Sequence, residues 1–160
     1  MPLSSTLEWI KSKFSDDVVE LHEQLGQDTA TISKSALMPL ARFLKEEPAL
    51  QYDFLMDLTA VDYFKRKPRF EVVYHFLSLK NLFRIRVKVP LSEPDPELDS
   101  LVSLWASADW YEREVYDMFG IRFAGHPDLK RILMYPEFEG HPLRKDYPID
   151  KRQPRVGPKD

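Results

Sequence analysis

The sequence predicts an α+β fold: a two-layer arrangement of a mixed β-sheet with helices packed on one side, followed by an extended Pro-rich C-terminal tail. Three observations carry this. Apolar residues recur at helical spacing in some stretches and alternate at strand spacing in others. The clearest alternation forms a hairpin. Past Tyr135 the periodicity fades, and Pro142, Pro148, Pro154 and Pro158 mark an extended segment. The 160 residues suffice for one core, since a domain of this size buries roughly 70% of the surface its unfolded chain exposes. The expected division is one domain over residues 1–135 and an interface tail over residues 136–160.

Taken in order, Ser5 and Glu8 have capping-box spacing, and Leu3, Leu7, Ile10 and Phe14 recur at helical intervals, so a short amphipathic helix opens the chain. Val18 to Leu21 and Thr29 to Ile32 are β-prone runs separated by the turn former Gly26, which predicts two paired strands. Leu37, Leu40, Ala41 and Leu44 fit one helical face, with Ser35 as candidate cap, Pro39 in the first turn and an end before Pro48. Phe54 to Val61 suits either a strand or a short helix. Phe70 to Leu79 and Leu82 to Val89 form the hairpin, turning near Lys80 and Asn81. In its second strand Phe83, Ile85, Val87 and Val89 alternate with Arg84, Arg86 and Lys88, so one face is apolar and the other cationic. That cationic face suits solvent, or docking of an acidic partner. Pro90 to Pro96 stops the sheet, and Leu98 to Trp105 suits a helical turn or two.

Composition narrows the function. Apolar residues are 43% and charged residues 31%, a globular balance. Net charge is −3 and the isoelectric point near 5.8, so no bulk basic field exists to attract nucleic acid or an anionic bilayer. Cysteine is absent, which excludes disulfides, thiolate nucleophiles, Cys-ligated zinc and thiolate-held iron–sulfur clusters on this chain. No apolar segment approaches the roughly 20 residues a bilayer demands, and no leader pattern opens the chain. A cytosolic protein, or one held at a membrane only through partners, is expected. Phosphate-cradling, dinucleotide-binding and nucleophile-elbow motifs are missing, so no self-sufficient enzyme is indicated.

Charges, aromatics, Gly and Pro crowd instead into Asp109 to Pro148. Asp109 and Glu112 have capping-box spacing and Gly120 supplies a left-handed stop, which predicts a helix of about three turns. Tyr111, Val115 and Met118 are its apolar stripe, leaving Glu112, Arg113, Glu114 and Asp117 to explain. Arg113 and Asp117 can pair at i, i+4, a contact worth about 0.3–0.5 kcal/mol when exposed. Glu114 and Asp117 can share a face, but the signal for an acid–base dyad is weak beside salt bridges that anchor the next loop. His126 and His141 sit on two Gly-His-Pro turns. With Glu137 or Glu139 they match no metal-site spacing, so turn capping is the better assignment. His22 and His75 stand alone. Arg, Tyr, Trp, Phe and Pro at this density are interface residues.

Glu112-Arg113-Glu114, Asp117, Phe119-Gly120-Ile121, Phe123 and Gly125-His126-Pro127 resemble a signature of the 30-kilodalton-type (NuoC) family of respiratory complex I. The likeness continues through Leu129, Arg131-Ile132-Leu133, Gly140 and Pro142-Leu143-Arg144-Lys145-Asp146-Tyr147-Pro148. It implies a cofactor-free α+β subunit in the hydrophilic arm of a proton-translocating NADH:quinone oxidoreductase, docked on the large D-type subunit that helps form the quinone site. FMN, iron–sulfur clusters and quinone are then expected on partner subunits. The resemblance also implies a peripheral place at the cytoplasmic face of the inner (plasma) membrane, with no nucleic acid bound. Structural and docking roles fall to Glu112, Arg113, Glu114, Asp117, Gly120, His126, Pro127, Arg131, Pro142, Arg144, Lys145, Asp146 and Tyr147. Two alternatives stay open: the equivalent subunit of a membrane-bound hydrogenase or of a ferredoxin- or F420-fed complex, and a small nucleic-acid-binding α/β domain.

Overall fold

The computed structural model describes residues 4–157, so Leu3 and Pro158 lie outside the described residues. Helix α1 (Ser5–Lys13) is capped one residue earlier than predicted: Ser4, not Ser5, accepts the Leu7 N–H on its hydroxyl. Strands β1 (Val18–Gln24) and β2 (Gln27–Ile32) form the expected antiparallel pair, turning at Leu25 and Gly26 with φ of 54° and 73°. A 3-10 turn at Lys34–Ala36 leads into α2 (Leu37–Glu46), which has no side-chain cap. Ser35 is therefore not the cap, because its hydroxyl donates to Asp17 Oδ1 at 3.0 Å.

The ambiguous stretch after α2 is strand β3 (Phe54–Asp62), fixed by its antiparallel ladder to β4 (Phe70–Leu77). Strand β5 (Arg84–Leu91) completes the predicted hairpin with β4. Strand β6 (Glu97–Asp99) takes the start of the stretch expected to be helical from Leu98, and a single turn follows it, with Trp105 N–H on the Leu101 carbonyl at 2.9 Å. Leu98 and Leu101 mimic helical spacing, but Leu98 pairs in parallel with Phe123 of β7 (Arg122–Ala124), which follows α3 (Ala108–Phe119). A three-residue strand is too short to declare its period.

The main sheet runs β1-β2-β5-β4-β3. Its centre pairs β2 with β5 in parallel while every other ladder is antiparallel, which makes the sheet mixed. Register explains the layers. Tyr74 faces Val87, Phe76 faces Ile85 and Ala30 faces Val87, so their side chains line one surface. That surface is buried with Leu7 and Ile10 of α1, Leu37, Leu40 and Leu44 of α2, and Val115 and Met118 of α3 in one core. Each such leucine contributes about 1.5–3 kcal/mol on removal from water. The opposite surface is polar. There Lys88 pairs with Glu71 at 3.1 Å and Arg86 donates to Gln27 at 3.2 Å, so two of the three alternating cations are engaged within the sheet.

Backbone geometry places α3. Trp105 Nε1–H donates to the Tyr52 carbonyl (3.1 Å), the Ser107 hydroxyl to Leu55 (3.1 Å) and the Tyr111 hydroxyl to Met56 (2.9 Å). Side chains before and within the first turn of α3 thus tie it to the beginning of β3 and the residue pair before it.

Candidate interface around the third helix

The capping box predicted on Asp109 and Glu112 does not form. Ser107 occupies the cap position without capping, its hydroxyl being committed to Leu55, and Asp109 lies inside the first turn. Glu112 is fully buried and turns to the preceding loop, accepting from the Ser100 hydroxyl (2.6 Å) and the Leu101 N–H (2.7 Å). Burial outweighs these two bonds and raises its pKa to about 7.

Asp117, five residues on, braces the following loop. Its carboxylate accepts from Arg131 Nη1 (2.6 Å) and from three successive backbone N–H groups, Ile132 (3.0 Å), Leu133 (2.9 Å) and Met134 (2.8 Å). Burial works to raise its pKa, but the Met134 N–H, Arg131 and the other two N–H groups prevail and hold it below the ordinary carboxylate range. The predicted Arg113–Asp117 pair is therefore replaced. Arg113 instead donates to the carbonyls of Lys130 (3.3 Å) and Arg131 (3.4 Å) and lies over Trp110. Glu114 is exposed and does not converge with buried Asp117, which removes the geometry a dyad requires.

The helix ends by handing its carbonyls to residues far along the chain. Four carbonyls lack intrahelical partners at any helix C-terminus. Here Gly120 N–H bonds that of Tyr116 (2.8 Å), His141 Nδ1–H that of Asp117 (2.9 Å), Leu143 N–H that of Met118 (3.1 Å) and Arg144 Nε–H that of Phe119 (2.5 Å). Residues 141–148, hereafter the strap, thus complete α3, and the Arg144 cation suits the negative end of the helix. Gly120 makes the approach feasible. Its φ is 72°, and a Cβ there would stand 2.5 Å from His141 Nε2 and 2.7 Å from Arg144 Nη2.

A second anchor was invisible in the sequence. Arg69 is 4% exposed and forms a paired contact with Asp62, Nε to Oδ1 at 2.9 Å and Nη2 to Oδ2 at 2.8 Å. Its remaining hydrogens reach Asp146 (2.6 and 3.2 Å) and Glu93. Asp62 also accepts the Lys145 N–H at 2.8 Å. Burial opposes ionisation of Asp62, yet Arg69 and the N–H groups of Lys145 and Phe64 hold its pKa at about 2. The ends of β3 and β4, the β5–β6 segment and the strap therefore meet at one guanidinium. These bonds cross the division placed at residue 135.

His126 caps its own turn, whereas the ring of His141 leaves its turn to cap the end of α3. His126 accepts the Asp128 N–H on Nδ1 (3.0 Å), which leaves Nε2–H to donate to the Asp109 carbonyl (3.2 Å). Pro127 follows on the exposed turn, and Pro142 follows His141 into the strap. Arg131 adds a bond to the Gly140 carbonyl (3.1 Å), and Tyr147 stacks on Phe138 at 6.0 Å. Around this frame Trp110, Leu133, Leu143 and Ile149 are exposed. Among the described residues no three His, Asp or Glu side chains gather as metal ligands.

The family model described as "Respiratory-chain NADH dehydrogenase, 30 Kd subunit" matches residues 30–153. The chain belongs to that family. Two curated relatives are named as C-type subunits of NADH-quinone oxidoreductase. One, from Citrifermentans bemidjiense, is 49% identical over 150 residues, covering 92% of each chain. The other, from Rhizobium etli, is 45% identical and covers 93% of this chain and 79% of its own. Among solved structures, a chain titled "Nqo5 of the trypsin-resistant fragment (1-134)" superposes with a TM-score of 0.67 at 34% identity, covering 78% of this chain and 96% of that one. A chain of an archaeal membrane-bound sulfane sulfur reductase has a TM-score of 0.73 at 24% identity, covering 91% and 85%, and shares the fold. No helix among the described residues is long and apolar enough to cross a membrane.

Proposed function

We propose that the chain is a structural subunit of the hydrophilic arm of a proton-translocating NADH:quinone oxidoreductase. It docks on the large quinone-site subunit and is held at the cytoplasmic face of the membrane through its partners. On this reading it binds no cofactor, and flavin, iron–sulfur clusters and quinone belong to neighbouring subunits. The observation that carries the proposal is the α3–strap frame. Apolar side chains at Trp110, Leu133, Leu143 and Ile149 stand exposed on a scaffold already fixed by buried carboxylates. A preformed frame lowers the ordering cost of association, and aromatic and aliphatic anchors are what interface centres use. The names of the relatives support the choice of complex.

The test is purification from membranes through a tag on this chain, with the partners identified by mass spectrometry. NADH:quinone oxidoreductase subunits are expected to accompany the wild-type chain. A Leu133→Asp/Leu143→Asp variant is expected to fold, by circular dichroism, but to come away alone, with membrane NADH:quinone activity reduced. Normal assembly of that variant moves the docking face elsewhere, and absence of oxidoreductase subunits from the wild-type preparation removes the reading altogether.

A further inference from the structure

Lys65, Arg66 and Lys67 form the exposed tip of the loop between β3 and β4. Among the described residues none of the three is ion-paired, and the acids nearby are engaged elsewhere. Glu71 holds Lys88, Glu93 holds Arg69, and Asp95 holds Lys34 (3.0 Å) and Arg122 (3.5 Å). On a chain of net charge −3 this leaves a local, uncompensated cationic rim.

The rim is held on a shaped base. Asp62 Oδ1 accepts the Phe64 N–H (2.8 Å), Tyr63 N–H reaches the Arg69 carbonyl (2.9 Å) and Arg66 stacks on Tyr63. Phe64 adopts φ of 39°, a conformation uncommon for a bulky residue. Its ring rests on the Arg69 guanidinium at 5.2 Å and remains 45% exposed. Between this loop and Ser92–Pro94 lies a cleft of about 620 Å³, with Phe64, Pro68 and Pro94 as apolar lining, Lys65, Arg66 and Lys67 along it, and Glu93, neutralised by its pairing with Arg69, on the facing wall.

We propose that this cleft receives an acidic, extended segment of a partner protein, its carboxylates on Lys65, Arg66 and Lys67 and an apolar side chain against Phe64 and Pro94. Charge complementarity selects the occupant. A single aromatic ring offers no series of stacking platforms for nucleic acid. A loop without an amphipathic helix lacks the apolar face that seats a protein in a bilayer. The loop tip differs from the alternating cations of β5, of which Arg86 and Lys88 are engaged within the sheet. The inference goes beyond membership of any complex and needs only the folded chain.

Fluorescence anisotropy with the full chain tests it, using a labelled peptide of alternating glutamate and phenylalanine at low and then physiological salt. Saturable binding that weakens with salt is expected. The Lys65→Gln/Arg66→Gln/Lys67→Gln variant should weaken it by about tenfold or more. Lys65→Arg/Lys67→Arg should retain it, as should Arg152→Gln/Arg155→Gln, which removes two cations elsewhere. Phe64→Ala should weaken the glutamate–phenylalanine peptide several-fold yet leave a glutamate–serine peptide unchanged, which separates seating from diffuse attraction. The proposal is overturned by absence of saturable binding, by equal loss in the Arg152/Arg155 control, by equal loss of both peptides on Phe64→Ala, or by loop-dependent binding to phosphatidylglycerol–phosphatidylcholine vesicles in place of the peptide.

Discussion

Arg144 donates its Nε–H to the carbonyl of Phe119, closing a helix from 25 residues further along the chain. The strap is in this sense the end of α3, and its position depends on what lets it come so near.

Gly120 is the first such condition. Gly120→Ala meets the left-handed backbone cost of about 1–2 kcal/mol and drives a methyl group into His141 and Arg144. We expect loss of at least that much stability in a denaturant melt and faster tryptic cleavage at Arg144 and Lys145. A variant as stable and as resistant as wild type contradicts the account.

Asp117 is the second. Asp117→Asn leaves Arg131 without its carboxylate and offers one oxygen where two served four donors. Breaking a buried pair from one side costs about 3–5 kcal/mol. Because the native pKa is depressed, this contribution is fully present above the unfolded carboxylate value of about 4 and fades only as pH falls below it. Unfolding curves of variant and wild type should therefore converge in acid and remain apart at neutral pH.

The two partners of the second anchor are unequal. Asp146 is 43% exposed at its side chain, and Asp146→Ala leaves Arg69 with Asp62 and Glu93, so a loss of about 0–1 kcal/mol is expected. Arg69→Ala strands Asp62 in the interior and should cost about 3–5 kcal/mol. Asp62 itself stabilises the fold above pH of about 4, and that contribution is lost as pH drops toward its native pKa of about 2. Equal destabilisation by the two substitutions is the result that sinks this ranking.

Glu112 has the opposite sign. Its native pKa of about 7 exceeds the ordinary 4.5, so the folded state favours the protonated form. The group's contribution is greatest below pH 4.5 and declines as pH rises toward about 7, by about 3 kcal/mol in all. Glu112→Gln removes this slope. Its unfolding free energy relative to wild type should improve across that window, and a pH-independent difference counts against burial as the cause.

Much of this was legible in the residues. Alternation along Phe83 to Val89 declared a strand, and Gly120 after an apolar stripe declared a helix end, because both signals are local. The bonds that fix the candidate site are not. Arg113 was the nearest cation to Asp117, yet the partner is Arg131 in a loop, where no period constrains direction. Asp62 and Arg69 meet because an antiparallel ladder returns the chain. Their third partner, Asp146, lies 77 residues beyond Arg69, a distance at which sequence spacing carries no geometry. Ser100 was likewise missed as the partner of Glu112, since only the irregular turn after β6 brings it there.

The bonds that Trp105, Ser107 and Tyr111 make at the beginning of β3 bear on how this protein meets others. An open strand invites a further strand, from a partner or from a second copy of the same chain, and such stacking has no natural limit. With the carbonyls of Tyr52, just before β3, and of Leu55 and Met56 at its beginning already bonded, that end of the margin offers fewer free acceptors to an added strand. Near those carbonyls a neighbour must be met through side chains, whose chemistry can be read for its identity, and not through an added strand.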